Sequence, residues 1–227
     1  MKLTYYGHSC FEVESKSTSI LFDPFISGNS KTGNIDISSL KPDFIFLSHG
    51  HADHTADVVT IAQSSGATVV GAYEVTAWMN KKGVEKYHPM NTGGKWTAGS
   101  FTVRCVNAVH SSSMPDGSYG GNPMGFVFTG TERSFYYSGD TALTLDMQLI
   151  PSYASLDLAI LPIGDNFTMG VDDAVRAAEM VRAKKVVGVH YDTFDLILLK
   201  DKTAAKKAFS EKNIELLLPD IGETILV

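Results

Sequence analysis

Leu47-Ser48-His49-Gly50-His51-Ala52-Asp53-His54 packs three histidines and an aspartate into six positions. An apolar run, Phe44-Ile45-Phe46-Leu47, leads straight into it. Imidazole and carboxylate are donors that suit zinc, manganese or iron. His49 and His51 are two apart, so an extended backbone aims both side chains the same way. Asp53 and His54 lie just beyond, where the chain should turn into a helix, and aim elsewhere. One short loop can therefore feed two metals. The chain holds seven histidines in 227 residues, so three at these offsets are more than composition delivers. A motif of this kind needs a strand before it and a helix after it, and the flanking sequence supplies both.

Upstream, residues 3–6, 10–13 and 19–22 are short runs of β-formers broken by Gly7-His8-Ser9 and by residues 14–18. They read as a meander. The third stops at Asp23-Pro24, because proline cannot donate to a strand ladder. Residues 27–34 are rich in Gly, Ser and Asn and read as a loop, and 36–40 as a short helical turn. Residues 44–47 lack alternation, as a strand buried on both faces does. Downstream, 55–64 carries Ala56, Val59, Ile61 and Ala62 at helical spacing. A strand at 68–71 and a helix at 74–82, closed by Gly83, follow. A turn at 91–94 precedes strands at 100–108 and 123–129. Between these lies a loop, 110–122, with few core residues, and long loops of this kind are often functional. Residues 133–138 form another strand.

The second half changes rhythm. Residues 143–151 are helix-like and 158–161 a buried strand. Residues 171–182 read as a helix, with Asp172 and Asp173 in the first turn, where the dipole favours anions. Strands at 186–189, 215–218 and 224–227 surround an amphipathic helix at 200–211. Meanders followed by α/β units in both halves imply an α+β chain of two sheets packed face to face, with helices outside. No repeat and no linker interrupts the pattern, so residues 1–227 read as one domain.

Composition narrows the function. A net charge of −6 gives no support to a general nucleic-acid surface. Cys10 and Cys105 fit no paired motif and read as buried thiols in a reducing compartment. The first residues lack the apolar run of a signal peptide, and no stretch reaches the ~18 apolar residues of a membrane span. The expectation is a cytoplasmic enzyme with no membrane partner.

The motif that opens the chain's chemistry recurs in a looser form. The strand 20–22 ends at Asp23, 103–109 at His110, 135–138 at Gly139-Asp140-Thr141, and 186–189 at His190. Strand ends are where sheet proteins gather side chains into one site. Each alone is weak; four together with the His49–His54 loop point to one centre.

These residues, in this order, resemble the metallo-β-lactamase superfamily with its H-x-H-x-D-H signature, and the resemblance spans most of the chain. It implies a four-layer αββα sandwich of two mixed β-sheets with helices on the outer faces. It also implies that His49, His51 and His110 hold one metal, that Asp53, His54 and His190 hold a second, and that Asp140 bridges the two. A shared carboxylate lowers the repulsion between two cations that imidazoles cannot neutralise, and two metals ~3.5–4 Å apart can acidify a shared water. Asp23 matches the superfamily's first motif, which implies a hydrogen bond to a ligand imidazole; a turn residue before Pro24 explains it equally well.

A narrower resemblance is to the small single-domain metal-dependent hydrolases that include the lactonase acting on ascorbate 6-phosphate. It rests on Gly7-His8-Ser9-Cys10-Phe11, on residues 162–170 and on His190-Tyr191-Asp192-Thr193-Phe194. It makes Asp53 and His8 catalytic candidates, with His8 a substrate or proton contact or else a structural turn histidine. Asn166 and Tyr191 become candidates for substrate contact or for support of the ligands. Asp165 stands where that group more often has glycine. His88 matches no motif and reads as a surface residue. Gly7-His8-Ser9-Cys10 lacks the second glycine of a serine-nucleophile elbow, since position 11 is Phe11.

The function expected is a metal-dependent hydrolase. A dinuclear site, zinc first, with manganese or iron as alternatives, would activate water against an ester, lactone or phosphodiester. The alternatives are an iron-dependent oxidoreductase of the same fold, or a nuclease. The partner expected is a small-molecule substrate, with a homo-oligomer left open.

Overall fold

The computed structural model describes residues 1–33 and 35–227; Asn34, the last residue of the loop read at 27–34, lies outside them. Six strands open the chain: β1 (Lys2–Gly7), β2 (Cys10–Ser15), β3 (Thr18–Phe22), β4 (Phe44–Phe46), β5 (Thr68–Ala72) and β6 (Tyr87–Met90). Then come β7 (Lys95–Ala98), β8 (Phe101–Asn107), β9 (Met124–Gly130), β10 (Ser134–Tyr137), β11 (Leu158–Pro162), β12 (Lys185–Val189) and β13 (Glu215–Leu217). The last strand, β14 (Thr224–Leu226), returns to pair with β1. Two seven-stranded sheets result, ordered β14-β1-β2-β3-β4-β5-β6 and β13-β12-β11-β10-β9-β8-β7. Both are mixed, antiparallel at one side and parallel at the other. The expected αββα sandwich is the fold observed.

Strand direction decides where the site lies. β1 and β3 are both antiparallel to β2, and β4 is parallel to β3, so these three run the same way. In the other sheet β8 and β10 flank β9 antiparallel, and β11 and β12 continue parallel to β10. His8, Asp23 and the 47–54 loop follow β1, β3 and β4, while His110, Asp140 and His190 follow β8, β10 and β12. A backbone bond from His190 N–H to the His8 carbonyl, 2.8 Å, ties the two rims together.

Between the sheets lies an aromatic core. Phe22 meets Phe128 at 5.5 Å and Tyr137 at 5.4 Å, and Phe46 meets Phe126 and Phe128 at 5.2 and 5.0 Å. These rings are fully buried, each contributing roughly 1.5–3 kcal/mol by leaving water. Cys10 and Cys105 are buried free thiols, as expected. Helices α1 (Ala52–Thr55), α2 (Val58–Ser65), α3 (Tyr73–Lys81), α4 (Val171–Met180) and α5 (Lys202–Ser210) complete the chain. Among the described residues no helix is long and apolar enough to cross a membrane.

Three expectations need correction. The helix read at 55–64 is two helices, α1 and α2, because Asp57 leaves helical geometry between them. Its buried carboxylate instead accepts the N–H groups of Ile26 and Ser27, 2.6 and 2.9 Å away, and the Ser27 hydroxyl. Helix-like 143–151 is 3₁₀ structure over Leu145–Ser152, with Pro151 inside it. The edge strands β6 and β7 went unread, and the turn at 91–94 carries the chain from one sheet to the other. His88 sits on β6, partly exposed, its ring stacked 4.0 Å from Trp96.

Candidate metal centre

Six of the seven histidines converge on the shared rim with Asp23, Asp53 and Asp140. Their donor atoms fall into overlapping groups, each within 4.8 Å: His49, His51 and His110; His8, Asp53, His54 and His190; and His49, His54 and Asp140. Asp140 Oδ2 stands among them, 2.9 Å from His190 Nε2, 3.1 Å from His54 Nε2 and 3.8 Å from His110 Nε2. The seven residues expected to gather do gather, and His8 joins them.

The backbone is bent to achieve this. His8, Asp23 and His190 each directly follow a strand and have left-handed φ values of 55°, 41° and 56°. That conformation costs a non-glycine residue on the order of 1 kcal/mol and concentrates at functional sites. It turns the chain sharply, so that the side chain faces the rim instead of continuing the pleat. Gly164 permits one such turn: a Cβ there would lie 2.0 Å from the His190 carbonyl oxygen.

Hydrogen bonds fix the imidazole tautomers. The Asp23 carboxylate, fully buried, accepts from Ser48 N, Ser48 Oγ, His54 Nδ1 and Tyr137 OH at 2.8, 2.6, 2.9 and 2.6 Å. Ser48 has given its one proton to Asp23, so at 3.0 Å it accepts the Nδ1–H of His49. One carboxylate thereby orients His54 directly and His49 through Ser48, leaving both Nε2 atoms facing inward. The His49 Nε2 then faces His51 Nδ1 at 2.8 Å, two ring nitrogens aimed at one point. His8 is spanned in the same manner: Nε2–H donates to Asp53 Oδ2 at 3.0 Å, and Nδ1 accepts from Thr193 Oγ1 at 2.9 Å. Of the two origins read for Asp23, the geometry shows the hydrogen bond to a ligand-type imidazole.

Burial pushes the pKa values of His49, His51 and His110 down, keeping their rings neutral with lone pairs available. Burial likewise holds His8 at about 4, against the pull of Asp53. For His54 burial acts downward too, but Asp140 and Asp23 on either side outweigh it and raise its pKa well above the usual imidazole range. Burial alone would raise the carboxyl pKa values; His54 and His190 overcome it at Asp140, and His8 and His54 at Asp53, so both stay ionised. Neutral imidazoles and ionised carboxylates are the donor set of a divalent cation. His54 Nε2, Asp140 Oδ1 and His190 Nδ1 are buried without a hydrogen-bond partner among the described residues. Unpaired buried polar atoms are rare and costly, and finding them on Asp140 and on two imidazoles beside it fits a bound cation.

The centre opens through a mouth of about 260 Å³ lined by His51, Asp53, His110, Ser111, Phe167 and Phe194, among others. Phe167 and Phe194 are 51% and 42% exposed there. The 110–122 loop forms one wall; the Gly50 N–H donates to Ser112 Oγ, and Trp78 Nε1–H pins Asp116 at 2.7 Å. Asn166 is exposed and does not line the mouth; its neighbour Phe167 does. Tyr191 is buried and lines a different cavity with His8 and Thr193. Ser48, Tyr137, Thr193, Phe167 and Phe194 have no role assigned to them by the sequence alone.

Comparison with known proteins agrees with this geometry. Residues 18–191 match the model of the β-lactamase superfamily domain. The chain belongs to that superfamily. Within it, the chain is 49% identical over 99% of both chains to a UPF0173 metal-dependent hydrolase of Flavobacterium johnsoniae. A UPF0173 metal-dependent hydrolase of Methylacidiphilum infernorum is 45% identical over the full length of both. Among solved structures, the metallo hydrolase Igni18 of Ignicoccus hospitalis superposes with a TM-score of 0.88 at 30% identity, covering 99% of this chain and 97% of that one. This superfamily member is thus an enzyme of the metal-dependent hydrolase class, and its clustered histidines and aspartates are capable of binding metal.

Proposed function

We propose that the centre holds two divalent metal ions, zinc first among the candidates, and hydrolyses an uncharged ester or lactone. The position of Asp140 carries the reading: one carboxylate oxygen lies within 4 Å of imidazoles from both donor groups. His49, His51 and His110 would hold one ion, Asp53, His54 and His190 the other, and Asp140 both. When bound, the ions would polarise the scissile carbonyl and acidify the attacking water.

The protein's own residues do the rest. Asp23 holds His54 and, through Ser48, His49 in the tautomers that leave Nε2 free. His8 holds Asp53 in place through its Nε2–H. Phe167 and Phe194 shield the mouth and offer an apolar seat to the substrate. No lysine or arginine lines the mouth, so apart from the ions themselves, whose charge Asp53 and Asp140 partly offset, no cation there would hold an anionic part of the substrate lying beyond the scissile bond. That favours a neutral carbonyl compound over a phosphodiester or nucleic acid. The sequence features that favour a cytoplasmic single-domain enzyme with a small-molecule partner accord with this reading.

Metal analysis of protein purified without added metal, followed by a panel of aryl esters, lactones and phosphodiesters, tests it. Two equivalents of zinc and faster turnover of the uncharged substrates are expected. Stoichiometric iron without hydrolysis would favour the oxidoreductase reading, and a preference for phosphodiesters would overturn the substrate class. Metal uptake should also release at least one proton at pH 7, from His54, in addition to any lost by the acidified water. His54, held protonated between Asp140 and Asp23, must surrender a proton to offer Nε2 as a ligand. Affinity should therefore rise with pH until His54 titrates in the metal-free protein. Calorimetry in buffers of differing ionisation enthalpy counts the protons; a count of zero would mean that His54 is already neutral in the metal-free protein or is not a ligand.

A further inference from the structure

A second cavity, of about 700 Å³, lies beyond His8 and shares no lining residue with the mouth. Its wall combines donors and apolar surface. Asn29 is 5% exposed, and its Oδ1 accepts the Lys31 N–H at 2.9 Å, which fixes the amide orientation. The Nδ2 group is then left buried with no hydrogen-bond partner among the described residues. Lys31, Lys200 and Lys202 line the same cavity against Asp192 and Asp220, one positive charge in excess. Lys202 is committed to Asp192 at 3.2 Å, which leaves Lys31 and Lys200 facing the space without an ion pair among the described residues. Leu198 and Ile221, both partly exposed, supply apolar walls.

We propose that this cavity is a second ligand site, for a small organic anion with an apolar body, coupled to the metal centre through Thr193 and His8. The coupling is geometric. Thr193 and His8 both line the cavity, and Thr193 Oγ1 to His8 Nδ1 to Asp53 Oδ2 is a run of two hydrogen bonds of 2.9 and 3.0 Å. A ligand that draws on the Thr193 hydroxyl alters the support of Asp53 without entering the mouth.

The test uses metal-loaded protein, with benzoate and inorganic phosphate as probes. Hydrogen–deuterium exchange read by mass spectrometry should show benzoate slowing exchange in segments 29–31, 191–202 and 219–221. Phosphate should bind more weakly, since it lacks the apolar body. Reversing both free cations, Lys31→Glu with Lys200→Glu, alters exposed side chains outside the centre. It should weaken benzoate at least about tenfold while leaving metal content and ester turnover unchanged. Saturating benzoate should shift kcat or KM of the wild type on the order of fivefold, and should not do so in the double variant at the same concentration. Protection confined to segments around Ser111 and Phe167, or retained in the double variant, would overturn the site. Tighter phosphate than benzoate would overturn the ligand class. Protection in the named segments with no kinetic shift would overturn the coupling.

Discussion

Asp140→Ala should lose metal and hydrolysis together. Asp140 lies within reach of imidazoles from both donor groups, and it is buried. Its removal leaves two cations facing each other across neutral rings, and leaves the His54 and His190 Nε2 atoms without their carboxylate. Metal content should fall below one equivalent, and turnover by on the order of 10³-fold, beyond the ~10–100-fold that loss of an outer hydrogen-bond partner brings. Thermal melting of the metal-free forms separates a local effect from unfolding, and Asp140→Asn, which keeps the shape, should lose metal as well. Retention of two equivalents in either variant would assign the bridge to another residue.

Why this centre was legible so early is a matter of spacing. His49, His51, Asp53 and His54 lie on one loop, so their offsets announce a constellation before any fold is known. The strand-end residues Asp23, His110, Asp140 and His190 were legible because each follows an apolar run, and a sheet must end somewhere. Other parts depend on partners far away in the chain. Ser48 looks like a loop serine until Asp23, which follows β3 and also takes the hydroxyl of Tyr137 from β10, accepts its proton. Asp57 looks like part of a continuous helix until Ile26 and Ser27 claim its carboxylate.

The edge strands were missed for a different reason. Tyr87–Met90 and Lys95–Ala98 are four residues each, half of them exposed, and carry Pro89 and Lys95, so they are too short and too polar for a strand pattern to stand out. Such sequences suit sheet edges, where charge and proline discourage pairing with another chain. At the mouth the lining residue falls one position beyond Asn166. Asn166 carries the polar group that attracts attention, but the left-handed pair Asp165 and Asn166 turns the loop so that Phe167 lines the opening.

Asp53→Asn separates the two donor groups. Asp53 does not cap a helix: α1 begins at Ala52 with His51 as its N-cap residue, and no side chain caps it. Asp53 lies inside the first turn, and its Oδ2 instead accepts from His8. Asparagine keeps the size and one carbonyl oxygen, so His8 can still donate to it, but the negative charge is gone. The ion held by Asp53, His54 and His190 should weaken, while His49, His51 and His110 keep theirs. Turnover should fall by on the order of 10²-fold or more, and excess metal should restore it only partly, because the group that orients the nucleophile is also altered. Titrating metal into the variant while following hydrolysis distinguishes loss of affinity from loss of orientation. Recovery to wild-type turnover at saturating metal would leave Asp53 a ligand and nothing more. Wild-type turnover at ordinary metal concentration would require that the second site be built without it.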